Sequence, residues 1–121
     1  WGKYYATIKV NPIANDNTGC TISFSVQNAA GATITVQGKT KVKYDGSTWY
    51  YVVGSARNTD KVRLYVKGVE DGPAQDMDTL FTPDPAGAAV FVTRTAGRGD
   101  GLPWFIGQVG NIGFYDKQLE P

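Results

Sequence analysis

Acidic side chains gather in one stretch of the chain and are the first candidates for chemistry. They are Glu70, Asp71, Asp76 and Asp78. Carboxylate oxygens brought together in a loop are the ligands that calcium prefers, so Asp71, Asp76 and Asp78 are predicted calcium ligands. The spacing of an EF-hand is absent. The competing interpretation is a charged loop tip that keeps one end of a sheet in water.

A second candidate is Trp104, which follows a glycine-rich stretch, residues 95–103, that contains Arg98 and Asp100. Sugars have apolar C–H faces and polar edges, so an exposed aromatic ring beside hydrogen-bonding groups suits them. Trp104, Arg98 and Asp100 are therefore predicted to bind a ligand. The alternative for Trp104 is a plug over the end of the hydrophobic core.

A third group is a row of aromatic residues with one basic residue. Its members are Trp49, Tyr51, Arg63 and Tyr65. They are out of phase with the more apolar positions between them, so they are predicted to face away from the core of two strands. Such a row is either a ligand platform or part of a second covered sheet face.

Lysine recurs at positions 39, 41 and 43. A stripe of this kind can contact an acidic glycan, but lysines along a strand more often prevent edge-to-edge aggregation of sheets. The second interpretation is preferred from the sequence.

The composition argues against most enzyme chemistry. The chain has no histidine and one cysteine, Cys20, so the usual general base is missing, and neither an intramolecular disulfide nor a cysteine zinc site can form. Glycoside hydrolysis needs two carboxylates flanking the scissile bond. The only glutamates are Glu70 and Glu120, and no predicted strand carries a Glu-x-Asp pattern. The protein is therefore predicted not to be an enzyme.

Charge and hydropathy limit the partners. Twelve basic and 11 acidic residues give a net charge of +1, which does not favour nucleic acid as the partner. The longest apolar runs, such as residues 86–92, are too short for membrane insertion. The 121 residues are predicted to form one domain, 1–121, either whole or cut from a larger protein.

Apolar residues recur at every second position in successive segments, as in half-buried antiparallel strands. The segments are residues 4–10, 21–26, 33–37, 39–44, 49–53, 62–67, 88–93 and 110–115. Residues 21–37 have the pattern of a hairpin. The prediction is an all-β antiparallel sandwich with jelly-roll connections, and a barrel is the alternative. Function is expected in the two long loops, 70–85 and 95–103.

Three blocks in the second half resemble laminin G-like domains of the concanavalin A-like lectin and glucanase superfamily. Residues 48–54 are similar to the Trp-His-His-Val-Ala segment of that family, with tyrosine at both histidine positions. Residues 63–68 resemble its Leu-Tyr-Val-Asn-Gly strand, with Lys67 where asparagine is usual. Residues 105–119 resemble its closing block, a Phe-x-Gly-x-Ile strand that ends in Tyr-Asn-x-x-Leu.

The resemblance implies a curved jelly roll of two antiparallel sheets that binds glycans or proteins, often with calcium at the edge of the sandwich. It also implies an extracellular or cell-surface protein. A glycan is the preferred partner. The alternatives are a protein-interaction or structural module of a surface or viral-type assembly, and a reduced glycosidase. One fold hosts many functions, so the ligand must be argued from the site.

Overall fold

The computed structural model describes residues 6–79, 109, 110, 112 and 113 of the 121-residue chain. Contacts divide the chain into two compact units, Tyr4–Thr82 and a second one composed of Trp1–Lys3 and Pro83–Pro121. The eight described strands all belong to the first unit. In the described part of the chain, no helix has the length and apolar character needed to cross a membrane.

The first sheet is antiparallel and is built around one long strand. Its strands are β1 (Ala6–Ile13), β2 (Asp16–Gln27), β3 (Thr33–Gln37) and β4 (Val42–Lys43). β1 pairs with one side of β2, whereas β3 and β4 pair with the other side. The 12 residues of β2 give it room for both partners, with β3 along residues 23–27 and β4 at residues 19 and 20.

The second sheet repeats this arrangement around β6. Its strands are β5 (Val52–Ala56), β6 (Lys61–Val66), β7 (Val69–Glu70) and β8 (Gln75–Asp76). β5 pairs with one side of β6, and the short strands β7 and β8 pair with the other. β6 is therefore the central strand of the second sheet. One of its faces points into the core and the other points away from it.

Within residues 6–79, a hydrophobic core lies between the sheets, where β2 and β3 contact β6. Its buried members are Cys20, Ile22, Phe24, Val26, Val36, Val62, Leu64, Val66 and Met77. Most occupy alternate strand positions because successive side chains of a strand point to opposite faces. The predicted hairpin of residues 21–37 is confirmed, since Phe24 pairs with Val36 and Val26 pairs with Ile34.

Phe24 of the first sheet lies directly over Gly54 of the second. A Cβ atom at position 54 would lie 2.3 Å from Cδ1 of the Phe24 ring, far inside van der Waals distance. Gly54 is opposite Leu64 in the register of β5 and β6, so it faces the core. The missing side chain at position 54 therefore makes the space that the ring of Phe24 occupies.

Several strand boundaries correct the sequence-based prediction. β1 continues past residue 10 to Ile13, because Pro12 lies at a register shift, where a missing N–H is tolerated. The predicted strand 39–44 shrinks to β4, since the N–H groups of residues 39 and 40 donate to a side chain instead of a ladder. β5 begins at residue 52, not 49, and the predicted loop 70–85 contains β8.

Two predicted strands fall mostly outside the described residues. Nothing in residues 88–93 is described, so that strand stays a prediction. Of residues 110–115, the described residues 110, 112 and 113 lie in no strand.

The turn between β6 and β7 explains one departure from the family pattern. Lys67 and Gly68 both have positive φ angles, 54° and 78°, as in a two-residue type I′ turn. Asparagine enters this region more easily than lysine does. The Lys67 ammonium lies 4.7 Å from the centroid of the Tyr50 ring, and this cation–π contact favours the conformation.

Replacing Gly54 by alanine is expected to destabilise the fold. The new methyl group overlaps the Phe24 ring, and overpacking of a core costs about 1–3 kcal/mol. The measurement is the free energy of unfolding in urea, with Ser55→Ala as the matched control because Ser55 lies on the opposite face of β5. Identical unfolding midpoints for Gly54→Ala and the parent chain would show that Phe24 does not occupy this position.

Candidate functional site

The outer face of β6 carries the first functional candidates. Arg63 and Tyr65 are partly buried there. Their neighbours along the strand, Val62, Leu64 and Val66, are buried in the core. The register places Val53 opposite Tyr65 and Ser55 opposite Arg63. Directly opposite residues of an antiparallel pair share a face, so these four side chains lie together outside the core.

Trp49 and Tyr51 extend this face beyond the start of β5. Their side chains are 62% and 73% exposed, respectively. The Tyr51 carbonyl accepts a hydrogen bond of 2.8 Å from the Lys67 N–H, so pairing with the chain of β6 continues past the strand. Since Tyr51 is two residues before Val53, the two point to the same side. We call this surface the aromatic face, and its members are Trp49, Tyr51, Val53, Arg63 and Tyr65.

Tyr50 anchors the segment that carries Trp49 and Tyr51. Its side chain packs against the hydrophobic core, and its hydroxyl accepts a hydrogen bond of 3.1 Å from the N–H of Lys43. The Lys67 ammonium covers its ring. Because Tyr50 points inward, its two neighbours in the chain are directed towards solvent.

One end of the aromatic face is charged. The Arg63 guanidinium lies 3.6 Å from Glu70 Oε1 and 3.9 Å from Asp60 Oδ2. These distances are those of ion pairs and exceed normal hydrogen-bond lengths. A guanidinium has five N–H donors, so Arg63 retains donors for a ligand placed beside it.

The three predicted calcium ligands do not come together. Asp71 is 6% exposed, and its carboxylate accepts hydrogen bonds from the N–H groups of Lys39 and Thr40 and from the Thr40 hydroxyl. Asp76 is hydrogen-bonded to Lys61 at the surface. Among the described residues, no three acidic or cysteine side chains are grouped so that they could hold a metal. Calcium binding stays a prediction, and Asp71 has the different role of joining the two sheets.

Two glycines make room for Asp71. A Cβ atom at Gly38 would lie 2.5 Å from Asp71 Oδ2, and one at Gly72 would lie 2.1 Å from the carbonyl oxygen of Gln37. Gly72 also has a φ of +81°. The segment after β7 can therefore press against the end of β3, where the Asp71 carboxylate meets the backbone of residues 39 and 40.

An open depression with a volume of ≈ 310 Å³ lies beside β4. Its lining residues are Thr18, Lys41, Lys43, Tyr44 and Asp45. The Lys41 ammonium is 2.6 Å from Asp16 Oδ2, and this hydrogen bond holds the pKa of the Asp16 carboxyl well below its usual value. Hydrogen bonds from Thr48 and Ser47 likewise lower the pKa of Asp45.

Cys20 lies next to this depression but is only 2% exposed. Burial raises the pKa of its thiol above the usual value. A nucleophilic cysteine needs the opposite shift and some access to solvent. Cys20 is therefore a core residue.

The family comparison adds to this geometry. The sequence model described as the concanavalin A-like lectin/glucanases superfamily, a laminin G family, matches residues 6–121. The chain belongs to this superfamily. No curated protein and no solved structure matches it.

Membership confirms the predicted fold class. The superfamily is a β-sandwich, and the described strands form two antiparallel sheets. Laminin G-like domains are generally non-catalytic binding modules for glycans or proteins, and they typically occur in extracellular proteins. The laminin G-like chain is accordingly a binding module in general terms.

The predicted site residues divide into those that share a surface and those that do not. Trp49, Tyr51, Arg63 and Tyr65 share the aromatic face, as their alternation predicted. Trp104, Arg98 and Asp100 lie outside the described residues of this laminin G-like domain, so the site around Trp104 stays a prediction.

Sequence reasoning missed Tyr50 as an anchor and Glu70 as a partner of Arg63. The Asp71-Gly72 pair was a local signal for a turn. Nothing in the sequence indicated that the Asp71 carboxylate reaches residues 39 and 40.

Asp71→Ala is expected to lower the free energy of unfolding by about 1–3 kcal/mol, because it leaves the N–H groups of residues 39 and 40 without their acceptor. The measurement is urea unfolding followed by fluorescence. Asp76→Ala is the matched control, since an exposed ion pair contributes about 0–1 kcal/mol. Equal losses in the two variants would contradict the joining role of Asp71.

Proposed function

We propose that this laminin G-like domain is a non-catalytic module of an extracellular or cell-surface protein that binds a glycan on its aromatic face. The observation that carries the proposal is the exposure of two large rings, Trp49 at 62% and Tyr51 at 73%, beside the Arg63 and Glu70 pair. Aromatic faces cover the apolar side of a sugar, and charged groups with free hydrogen-bonding positions recognise its hydroxyls.

The spacing of the rings favours an oligosaccharide. Residues two apart in an extended segment are separated by about 7 Å along the chain. A ligand that covers both Trp49 and Tyr51 therefore has two or more sugar units. Burying the exposed ring surface contributes about 25 cal/mol per Å² of apolar area, which is the main source of affinity here.

Arg63 provides hydrogen-bonding groups that orient the ligand. Its ion pairs with Glu70 and Asp60, at 3.6 and 3.9 Å, are longer than hydrogen bonds, so either partner can take a ligand hydroxyl without breaking a strong contact. Tyr65 lies beside Arg63 on the same strand face and is partly buried. The face thus offers stacking at one end and polar recognition at the other.

Three of the described carboxylates, Asp16, Asp45 and Asp76, are unsuited to act as a catalytic acid. The acid of a glycoside hydrolase needs a raised pKa. Hydrogen bonds from Lys41, Thr48 and Lys61 instead lower the pKa values of Asp16, Asp45 and Asp76. Asp71 is buried against the backbone of residues 39 and 40.

A protein partner is the second candidate. Val53 on the aromatic face is 37% exposed, beside the more exposed Trp49 and Tyr51. Aliphatic side chains add apolar area but no groups that recognise hydroxyls, and apolar area of this kind suits a protein interface. Both candidates use the aromatic face, so binding experiments must separate them.

A glycan array, run with calcium and with EDTA, followed by titration calorimetry on the glycans retained, tests the proposal. Tyr51→Ala and Trp49→Ala are each expected to weaken binding by about threefold to tenfold through loss of ring stacking. Tyr51→Phe keeps the ring and is expected to retain the affinity. The matched control is Ile8→Ala, because Ile8 is exposed on the other sheet.

Two outcomes would contradict glycan binding on this face. One is undiminished affinity in both alanine variants, which would place the ligand elsewhere. The other is the absence of any retained glycan together with concentration-dependent self-association that Val53→Ser abolishes, which would favour a protein interface.

A further inference from the structure

Both basic side chains on the outer face of β6 are paired with carboxylates. Lys61 lies opposite Asp76 in the register with β8, and its ammonium is hydrogen-bonded to that carboxylate. The Arg63 guanidinium is 3.6 Å from Glu70 Oε1 and 3.9 Å from Asp60 Oδ2. A charged group of a ligand that enters this face therefore meets a charge of its own sign as well as one of the opposite sign.

Glu70 borders the aromatic face, although it comes from another strand. It lies directly opposite Tyr65 in the pairing of β6 and β7, and directly opposite side chains are about 5 Å apart on the same face of a sheet. Val53 lies opposite Tyr65 on the other side. Tyr65 is thus bordered by an apolar side chain on β5 and by a carboxylate on β7.

The pair formed by Glu70 and Arg63 offers acceptors and donors side by side. The two side chains are 45% and 27% exposed, respectively, so a ligand can reach both. A carboxylate only accepts hydrogen bonds and a guanidinium only donates them, whereas a hydroxyl does both. Two neighbouring hydroxyls of one sugar can therefore use the pair together, one donating to Glu70 and the next accepting from Arg63.

Charged sugars match this pair less well. A carboxylate or sulfate of the ligand supplies acceptors for Arg63, but Glu70 and Asp60 repel it. An ammonium of the ligand supplies donors for Glu70, but Arg63 repels it. Like charges brought together across an interface oppose binding. An uncharged sugar keeps both hydrogen bonds without a repulsive contact.

We infer that the aromatic face selects an uncharged oligosaccharide with free neighbouring hydroxyls, and that Glu70 is the residue that determines this selection. The Tyr65 ring covers the apolar side of the sugar unit whose hydroxyls bind Glu70 and Arg63. The inference rests on the proposed function, because it names the class of glycan that this same face binds.

The first test is titration calorimetry of the whole 121-residue chain with three β-1,4-linked tetrasaccharides that share one backbone. They are cellotetraose, which is uncharged, the glucosamine tetramer, which carries ammonium groups, and the glucuronate tetramer, which carries carboxylates. Cellotetraose is expected to bind about threefold to tenfold more tightly than either charged tetramer. Its affinity is expected to be the same in low and high salt, because salt screens only interactions between charges.

Variants of Glu70 test its role in the selection. Glu70→Gln keeps an acceptor oxygen and removes the charge, so it is expected to leave the affinity for cellotetraose within about twofold and to raise that for the glucuronate tetramer by about threefold. Glu70→Ala also removes the acceptor and is expected to weaken the binding of cellotetraose by about threefold to tenfold.

Asp76→Asn is the matched control. It removes the same charge from the same face, but Asp76 is paired with Lys61, which is about 13 Å from Tyr65 along β6. The ratio of the affinities for cellotetraose and the glucuronate tetramer is expected to stay as in the parent chain.

The same change of this ratio in Glu70→Gln and Asp76→Asn would overturn the inference, because it indicates a diffuse charge effect. Equal or tighter binding of a charged tetramer to the parent chain would overturn it too, as would the absence of binding by all three tetramers. The proposed function fails by a different result, undiminished affinity of Trp49→Ala and Tyr51→Ala for the glycans that the array retains, whatever their charge.

Discussion

Strict alternation along β6 is the constraint on which the rest of the structure depends. Val62, Leu64 and Val66 are 0–3% exposed and fill the core between the sheets. Because successive side chains of a strand point in opposite directions, the neighbours of these three residues lie on the opposite face of the sheet. Arg63 and Tyr65 are therefore outside, the register with β5 places Val53 opposite Tyr65, and Tyr51 extends the same face before β5 begins. A shift of one residue in this strand would bury the charges and expose the core, so register and site are fixed together.

Two contacts between the sheets hold β6 and β5 in place against β2 and β3. Phe24 fills the space above Gly54, and Asp71 ties the chain after β7 to residues 39 and 40. The second contact also positions the segment that leads into β4. Tyr50 joins the aromatic face to β4, since its hydroxyl accepts a hydrogen bond from the Lys43 N–H and its chain neighbours are Trp49 and Tyr51.

Short-range features were predictable from the sequence, and long-range ones were not. The hairpin of residues 21–37 and the two faces of β6 follow from alternation within a few residues, and the structure confirms them. The predicted start of β5 was wrong because the alternation at residues 49–51 also fits an extended segment before the strand, which Tyr50 anchors. The role of Asp71 was missed because its partners lie 31 and 32 residues away. A cluster of acidic residues in the sequence does not show which of them accepts hydrogen bonds from a distant part of the backbone.

Glycan recognition on the aromatic face can be tested by chemical-shift mapping of the isotope-labelled chain with an oligosaccharide that it retains. We expect the signals of the Trp49 indole N–H and of the amides of residues 51, 53, 63 and 65 to move together with one dissociation constant, while those of the methyl groups of Val62 and Leu64 stay in place. Perturbations confined to other residues, with the Trp49 indole and the amides of β5 and β6 unmoved at saturation, would contradict it.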